Sequence, residues 1–443
     1  MKKFMSLSLL ALAASVATVS FTKSASADVS VETAFIFNTF SFAFHGVLVM
    51  WMGAGFAMLE AGLVRSKNTT MQLTKNIALY SIAGLMFWVV GYNLMYLDVS
   101  GFFGTPGPWS ASDPFDAEGA FTGDDAAGYG AASDWFFQMV FVAATASIVS
   151  GTVAERVKLL PFLVFTVILT GILYPIQGSW SWGGGWLSEA GFLDFAGSTI
   201  VHSVGGWAAL TGAIIIGARK GKYNADGSIN PMPGSNLPLA ALGTFILWMG
   251  WFGFNGGSQL AMGSAADVVA IATIYVNTNL AAAAGVVIAI ILTGIMYKKV
   301  DLTMALNGAL GGLVAITAEP LAPSPATAIF VGAIGGVLVV FAVPLLDKLK
   351  IDDVVGAISV HLVAGIWGTI AVVFSNSDAT IGGQLTGIVG VGVFMLITSS
   401  IVWFVLKLIF GLRPSEEDES LGLDRAECGM EAYPEFGRGS QTI

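Results

Sequence analysis

The sequence is poor in charged residues and cysteine, and each shortage excludes a class of protein. Only 11% of its 443 residues are charged, whereas about 25% are charged in a typical soluble domain. The single cysteine, Cys428, excludes a disulfide framework and a thiolate metal site. A net charge of -10 excludes a basic nucleic-acid-binding surface. What is abundant is apolar: 55% hydrophobic residues, 55 glycines and a mean hydropathy of +0.78 indicate a multi-pass membrane protein.

The N-terminal segment has the pattern of a secretory signal. Lys2 and Lys3 precede an apolar run from residue 5 to about residue 19, and Ala25-Ser26-Ala27 supplies the small residues of a cleavage site. We therefore predict that residues 1–27 form a cleavable signal peptide, which leaves the mature N-terminus outside the cell. A retained first helix is the alternative.

Beyond residue 27, apolar runs alternate with polar loops. Eleven runs are long enough for a membrane span, which needs about 20 residues, and backbone groups at that depth must be satisfied within helices. The predicted spans are residues 34–64, 74–97, 133–154, 159–177, 197–218, 237–258, 268–297, 303–318, 326–346, 355–375 and 381–411. The sequence therefore predicts an all-α membrane domain over residues 28–411 and a polar tail over residues 412–443.

Lysine and arginine occur in alternate loops, which sets the orientation. The first basic group comprises Arg65, Lys67 and Lys75, and further groups follow every second span. Basic residues are absent from the intervening loops 98–132, 178–196, 259–267, 319–325 and 376–380. Because short basic loops stay in the cytoplasm, the N-terminus is predicted outside and the C-terminus inside, as eleven spans require.

A thirteen-residue pattern, D-x-x-G-x-x-x-V-H-x-V-x-G, occurs at residues 194–206 and again at residues 353–365. The copies lie five helices apart, so they enter the membrane from opposite faces, which is typical of an inverted repeat. Each histidine follows its aspartate by eight residues, or about 12 Å along a helix. His202 and His361 are therefore predicted to meet near the centre of a core about 30 Å thick.

Several interpretations of these residues stay open. Each histidine could be an isolated core residue bonded to a carbonyl, whereas a pair could bind a small polar solute and pass a proton. Two imidazoles without a third ligand make a poor metal site. Asp194 and Asp353 fit helix caps, and Asp194 could also attract cations. The i, i+4 neighbours Phe137 and Phe141 could stack over a pore or belong to ordinary packing.

No enzyme signature is found. Gly183-Gly184-Gly185 is not followed by the Lys-Ser/Thr pair of a phosphate loop, and neither a metal nor a cofactor is predicted. Within the spans, Glu60 and Lys75 are the main charged candidates, so the pathway suits a neutral or nearly neutral solute.

Five segments together resemble the ammonium transporter family, with its Amt, Mep and Rh branches. The resemblance covers nearly the whole mature chain, from the first helix to the tail. The segments are Ala61-Gly-Leu-Val-Arg-Ser-Lys-Asn68, Gly151-Thr-Val-Ala-Glu-Arg156, Trp182-Gly-Gly-Gly185, Asp194-Phe-Ala-Gly-Ser-Thr-Ile-Val-His202 and Trp251-Phe-Gly-Phe-Asn255. The resemblance implies transport of ammonium or ammonia, with methylammonium as an analogue, for nitrogen uptake.

The resemblance also implies site residues. An outer ammonium site is expected at Trp182, Phe137 and Ser258, with Asp194 behind it. Phe141, which also borders this site, and Phe254 resemble stacked phenylalanines that close the outer end of the pore. His202 and His361 resemble the twin histidines that line the pore below them. Ammonium would lose its proton near the phenylalanines; a relay along the histidines is an optional step that would make net transport carry charge.

The family further implies a homotrimer in the lipid bilayer of a bacterial inner membrane and a cytoplasmic regulatory tail that meets a PII-type protein. In the tail, Cys428 stands where a histidine is common, which weakens any detailed expectation of regulation. Two rival functions are a sensor that signals through the tail and a neutral solute channel like the Rh branch. We expect no output domain after residue 443, which disfavours the sensor, and the Trp182, Phe137 and Ser258 site favours an ammonium-recruiting transporter.

Overall fold

A computed structural model describes residues 29–124 and 128–436, so the predicted signal peptide lies outside the described residues. Within this part of the chain, nine helices are long and apolar enough to cross a membrane, and two shorter apolar helices complete the set. They are α1 (Val31–Leu63), α2 (Ser66–Tyr96), α3 (Ala131–Thr152), α4 (Leu159–Ser179), α5 (Ser198–Ile216), α6 (Leu237–Gly257), α7 (Ala265–Tyr297), α8 (Leu302–Thr317), α9 (Pro325–Lys348), α10 (Ile358–Phe374) and α11 (Ile381–Phe410). The predicted eleven-helix fold is thus confirmed.

The start of α2 differs from its prediction. The sequence predicts a span that starts at residue 74, with Lys75 in its first turn, but α2 begins at Ser66, and Lys75 lies buried further inside the helix. The polar residues of its first turns can enter the helix because their side chains find partners on α1 and α3. Gln72, for example, donates to a carboxylate oxygen of Glu60 and to the Ser150 hydroxyl.

Glycines allow α7, α8 and α9 to pack with backbone in contact. A Cβ atom at Gly285 would lie 2.1 Å from the Gly308 carbonyl oxygen, and one at Gly335 would lie 2.5 Å from the Gly311 carbonyl oxygen. Small residues commonly permit such contact between membrane helices. We call these four residues the glycine seam; it fixes the position of α8, whose other neighbours include α10.

Helices α5 and α10 share an irregularity that their sequence duplication also shares. Each begins with a wide π-helical turn, at Ser198–Ser203 in α5 and at Ile358–Val363 in α10, and the two turns pack against each other. π-Helical turns are rare and often occur at functional sites. The two copies of the sequence motif thus have the same backbone geometry.

At the basic end of the helices, charged side chains form a buried network that joins four loops. Arg219 donates to both carboxylate oxygens of Asp352 at 2.9 Å and forms a 3.2 Å ion pair with Glu155, which also pairs with Arg65. We call these four residues the inner ion network. Burial opposes the charge of Asp352, but hydrogen bonds from Arg219 and the positive charge of Arg156 outweigh it and hold its pKa below the usual range.

The tail packs against the same end. It forms two short helices, α12 (Glu416–Leu421) and α13 (Leu423–Cys428). The Asp424 carboxylate accepts the backbone N–H of Met71 at 2.8 Å, and Glu427 accepts that of Leu159 at 3.0 Å, so the tail satisfies free donors of α2 and α4. Cys428 fills a gap against α2, with its sulfur 3.9 Å from the Thr74 hydroxyl.

Candidate functional site

The aspartate and glycine of the repeated motif build the start of α5. The Asp194 carboxylate accepts four backbone N–H groups, those of Gly197, Ser198, Thr199 and Ile200, at 2.8–3.0 Å. Gly197 has φ of 108°, in the left-handed region that disfavours residues with a Cβ. The motif therefore turns the chain sharply and caps the helix that carries His202.

The second copy repeats this arrangement in α10. The Asp353 carboxylate accepts the N–H groups of Ala357 and Ile358 at 3.0 and 2.8 Å, and Gly356 has φ of 83°. Burial raises the pKa of the Asp194 and Asp353 carboxyls to about 6 in each case, and the hydrogen bonds that they accept oppose the rise. Both carboxyls are thus mainly charged at neutral pH.

The two histidines meet, as the inverted repeat predicts. Their Nδ1 atoms lie 3.2 Å apart, and their rings stack with an interplanar angle of 25°. One Nδ1 must carry a hydrogen and the other a lone pair for this bond to form. The ring that donates through Nδ1 then has Nε2 as an acceptor, and the other ring has an N–H at Nε2. Among the described residues, His202 Nε2 has no hydrogen-bond partner.

Aromatic rings continue the line of the histidines on one side. Phe254 stacks on His202 with ring centroids 5.2 Å apart, and Phe141 stacks on Phe254 at 3.9 Å. Trp251, one turn before Phe254 on α6, also stacks with the His202 ring, with centroids 4.9 Å apart. Phe141, Phe254 and Trp251 are fully buried, so the two phenylalanines close the space between the histidines and the cavity beyond them.

Beyond the phenylalanine stack lies a cavity of about 300 Å³, which we call the outer cavity. It is lined by Phe137, Phe141, Trp182 and Ser258, which the sequence resemblance groups into one site. The indole N–H of Trp182 donates to the backbone carbonyl of Asp194 at 2.9 Å, and the Ser258 hydroxyl donates to that of Phe254 at 2.8 Å. Asp194 itself lies behind Trp182, and its carboxylate oxygens are occupied by the helix cap.

The sequence interpretation missed polar residues in the outer cavity. Asp134, buried in the first turn of α3, receives hydrogen bonds from the Tyr92 hydroxyl and, at 3.3 Å, from the Gln138 amide. Tyr129 also lines this space. A signal was present, because Asp134 precedes Phe137 by three residues and therefore shares its helical face.

The third histidine is placed differently. His45 bonds through Nδ1 to the Ser41 carbonyl at 2.8 Å and through Nε2 to the Tyr275 hydroxyl at 2.8 Å. The ring is therefore hydrogen-bonded within α1 through Nδ1 and to α7 through Nε2. Among the described residues, no group of three histidine, cysteine or carboxylate side chains is arranged to hold a metal ion.

On the other side of the histidines, a small cavity leads towards a large one. His361, Glu60 and Ser147 line the small cavity, which has room for about one water molecule. Asn307 and Val355 line it too, and both also border a wider cavity of about 410 Å³, which we call the inner vestibule. A continuous series of sites therefore runs from the outer cavity past the histidines to the inner vestibule.

Comparison with known proteins agrees with this arrangement. The model of the Ammonium Transporter Family matches residues 40–433. The chain belongs to this family. It is 40% identical to ammonium transporter Amt2 of Archaeoglobus fulgidus over 422 residues, covering 88% of this chain and 87% of that protein, and 35% identical to the ammonium transporter of Bacillus subtilis, covering 88% and 97%.

Solved structures show the same fold. The structure described as a Sensor Amt Protein superimposes with a TM-score of 0.82 at 36% identity, covering 89% of this chain and 99% of that chain. Mep2 of Candida albicans superimposes with a TM-score of 0.75 at 27% identity, covering 88% and 89%. The protein is therefore a multi-pass membrane protein of a transporter family rather than an enzyme, and its function is ammonium transport.

Proposed function

We propose that this ammonium transporter binds ammonium in the outer cavity, removes its proton at the phenylalanine stack and passes ammonia along the two histidines. The observation that carries the proposal is the uninterrupted stack from Phe141 through Phe254 and His202 to His361. Among the described residues, it joins the outer cavity to the histidine pair without an intervening charged side chain.

Recruitment follows from the chemistry of the outer cavity. Aromatic faces attract a cation by about 0.5–2 kcal/mol, and the outer cavity presents Phe137, Phe141 and Trp182. The Ser258 hydroxyl can accept an ammonium N–H, because its own hydrogen is donated to Phe254. The buried carboxylates of Asp134 and Asp194 add negative potential without blocking the space.

Deprotonation follows from the burial of the phenylalanine stack. An ion that leaves water for an apolar passage loses its hydration at a cost of several kcal/mol, whereas neutral ammonia loses much less. His202 Nε2, which lacks a described partner, can take the proton while its Nδ1–H moves to His361 Nδ1 and the Nε2–H of His361 leaves inward. Such a relay would move one positive charge with each ammonia molecule.

Reconstitution tests the proposed function. Purified protein in liposomes is expected to give an inward current on addition of ammonium, together with uptake of labelled methylammonium that ammonium inhibits. Ammonia flux without any current would contradict the charge-carrying mechanism and favour a neutral channel. Binding without flux would instead favour the second candidate, a sensor, which the similarity to the Sensor Amt Protein brings into consideration.

Replacing Trp182 with leucine is expected to raise the KM for methylammonium about tenfold. The substitution removes an aromatic face from the outer cavity and the hydrogen bond to the Asp194 carbonyl, which together account for about 1.4 kcal/mol, the equivalent of tenfold. Methylammonium uptake over a range of concentrations measures the effect. Trp186→Leu, outside the outer cavity, is the control, and an unchanged concentration dependence in Trp182→Leu would count against the aromatic site.

Affinity for methylammonium is expected to fall as the external pH falls through 6. An ordinary aspartate has a pKa of about 4, but burial raises the pKa of Asp194 to about 6. Its negative charge is therefore present above pH 6 and is lost below it, and the charged fraction falls about fourfold between pH 7.5 and 5.5. Alkylammonium ions stay protonated over this range, so the measured quantity is the KM for methylammonium at each pH.

Variants of the two capping aspartates identify which group causes the pH dependence of the KM for methylammonium. Asp194→Asn is expected to have a high KM at both pH values, whereas Asp353→Asn, which alters the equivalent inward cap, keeps the pH dependence. A pH-dependent KM in Asp194→Asn would assign the effect to another group.

Location and assembly complete the proposal. We infer a homotrimer in a bacterial inner membrane, with the tail exposed to a PII-type regulator. The tail contacts of Asp424 and Glu427 with α2 and α4 support a route by which a bound protein could reach the helices. Light scattering of the detergent-solubilised protein tests the trimer.

A further inference from the structure

A pair of opposite charges is buried beside the inner half of the pathway. Glu60 on α1 and Lys75 on α2 are each 1% exposed, and the mechanism described above uses neither. Ionisable residues within membrane spans are costly to bury, and they usually mark pathways for ions or protons.

Three neighbours hold one oxygen of the Glu60 carboxylate. Oε2 accepts hydrogen bonds from the amide of Gln72, from the amide of Asn76 at 2.7 Å and from the hydroxyl of Ser150 at 3.0 Å. No hydrogen bond from residues 29–124 or 128–436 reaches the other oxygen, Oε1. The side chain is thus fixed in position but keeps one oxygen available.

Lys75 balances this charge without occupying the carboxylate. Its Nζ donates to the backbone carbonyl of Ser150 at 2.9 Å and lies 4.9 Å from the centre of the Phe162 ring. Ser150 therefore lies between the two charges, with its hydroxyl on Glu60 and its carbonyl on Lys75. A nearby positive charge favours the ionised form of a carboxyl group. Lys75 therefore favours the release of a proton that Glu60 has accepted.

The position of Glu60 connects it to the histidine pair. Glu60 and His361 line the same small cavity, which has room for about one water molecule. Asn307 and Val355 separate this cavity from the inner vestibule and border both. A single bridging water would therefore link the last histidine to a carboxylate that only Asn307 and Val355 separate from the vestibule.

We propose that Glu60 is the proton acceptor between His361 and the inner vestibule. The inference rests on the proposed relay. In the inward step, His361 gives its Nε2 proton to the bridging water, which passes one of its own protons to Glu60 Oε1. The neutral carboxylic acid then gives its proton to an ammonia molecule that passes through the small cavity towards the vestibule, which re-forms ammonium and the Glu60 carboxylate. Each transfer thus ends with the carboxylate restored and one positive charge released inside, and the histidine pair returns to its first tautomer before the next transfer.

Glu60→Gln separates proton transfer from ammonia passage. Glutamine keeps the size and can keep hydrogen bonds with Ser150 and its neighbours, but it cannot carry the proton. In liposomes we expect the ammonium-evoked current to fall at least tenfold, while passage of the base, followed as the initial uptake of labelled methylammonium above that of protein-free liposomes, stays within twofold of wild type. Glu60→Asp is expected to recover part of the current.

Two further variants exclude a structural explanation. Glu60→Gln alone leaves Lys75 buried without an opposite charge. The double variant Glu60→Gln/Lys75→Met removes both charges, and it is expected to restore the thermal stability that Glu60→Gln loses but not the current. Glu319→Gln changes another buried carboxylate, one that accepts the amide of Asn376 near the outer ends of α8 and α11, and is expected to keep the current.

The outcomes distinguish this inference from the proposed function. A wild-type current that persists in Glu60→Gln overturns the role of Glu60 and leaves the function intact. Equal losses of current and ammonia flux in Glu60→Gln, or recovery of current in the double variant, also overturn it, because both indicate a structural role. Absence of current in the wild-type protein contradicts the relay itself and the inference with it.

Discussion

Replacing His202 with alanine is expected to abolish the ammonium-evoked current. The change removes the Nε2 acceptor beside Phe254 and the Nδ1 partner of His361, so a proton released at the phenylalanine stack has no route inward. Positioned acid–base groups commonly contribute about 100-fold or more to proton transfer, and we expect at least that loss. Currents measured on a supported membrane, at equal amounts of folded protein, give the comparison.

The third histidine supplies the control. His45→Gln alters a buried ring of the same type that bonds Ser41 and Tyr275 and lies outside the stacked pathway, so it is expected to keep the current. A normal current in His202→Ala would contradict the histidine relay. If His202→Ala lost the current but kept ammonia flux, the histidine would be required for the proton and not for the passage of ammonia.

Arg219→Ala is expected to destabilise the protein by about 3–5 kcal/mol, the usual effect of removing one partner of a buried ion pair. Asp352 would lose two charged hydrogen bonds, and Glu155 would keep only Arg65. Glu155 also has φ of 69°, unusual for a residue with a side chain, so the inner ion network holds a backbone conformation that is costly on its own. Thermal unfolding in detergent, followed by tryptophan fluorescence, is expected to shift by about 4–6 °C.

Lys220, the next residue in the chain, tests whether burial of the ion pair causes the loss of stability in Arg219→Ala. Lys220 pairs with Glu416 at 3.0 Å, but both side chains are largely exposed, and Lys220→Ala is expected to change stability by less than about 1 kcal/mol. Arg219→Lys is expected to lie between the two, since a lysine cannot bond both carboxylate oxygens in the same planar geometry. Equal effects of Arg219→Ala and Lys220→Ala would contradict a stabilising role of the inner ion network.

The number and order of helices follow from the sequence because membrane helices are encoded by local composition. The span predicted at residues 303–318 is α8 (Leu302–Thr317), although that helix is short. The first turns of α2 were missed because hydropathy treats each side chain alone. The burial of Lys75 in this helix depends on Glu60 and Ser150, which are distant in the sequence.

The approach of the histidines could be predicted because a repeat with opposite entry directions constrains where equivalent residues meet. The π-helical turns and the Nδ1 to Nδ1 contact could not, since both depend on tertiary packing. The assignment of Phe254 beside Phe141 came from family resemblance, and the structure places their rings in contact. Asp134 was overlooked although it shares a helical face with Phe137, because a carboxylate in the first turn of a helix also fits a residue that faces water.

The glycine seam has a consequence for how the sequence can vary. An added methyl group would lie less than 3 Å from a backbone oxygen at Gly285, Gly308 or Gly335 and less than 3 Å from the Val339 side chain at Gly311, so alanine at any of these sites requires a neighbouring group to move. A complete mutational scan would therefore record intolerance at the glycine seam as severe as at the histidines, although no solute touches it. Intolerance alone would not distinguish the residues that contact ammonium from those that keep α7, α8 and α9 together.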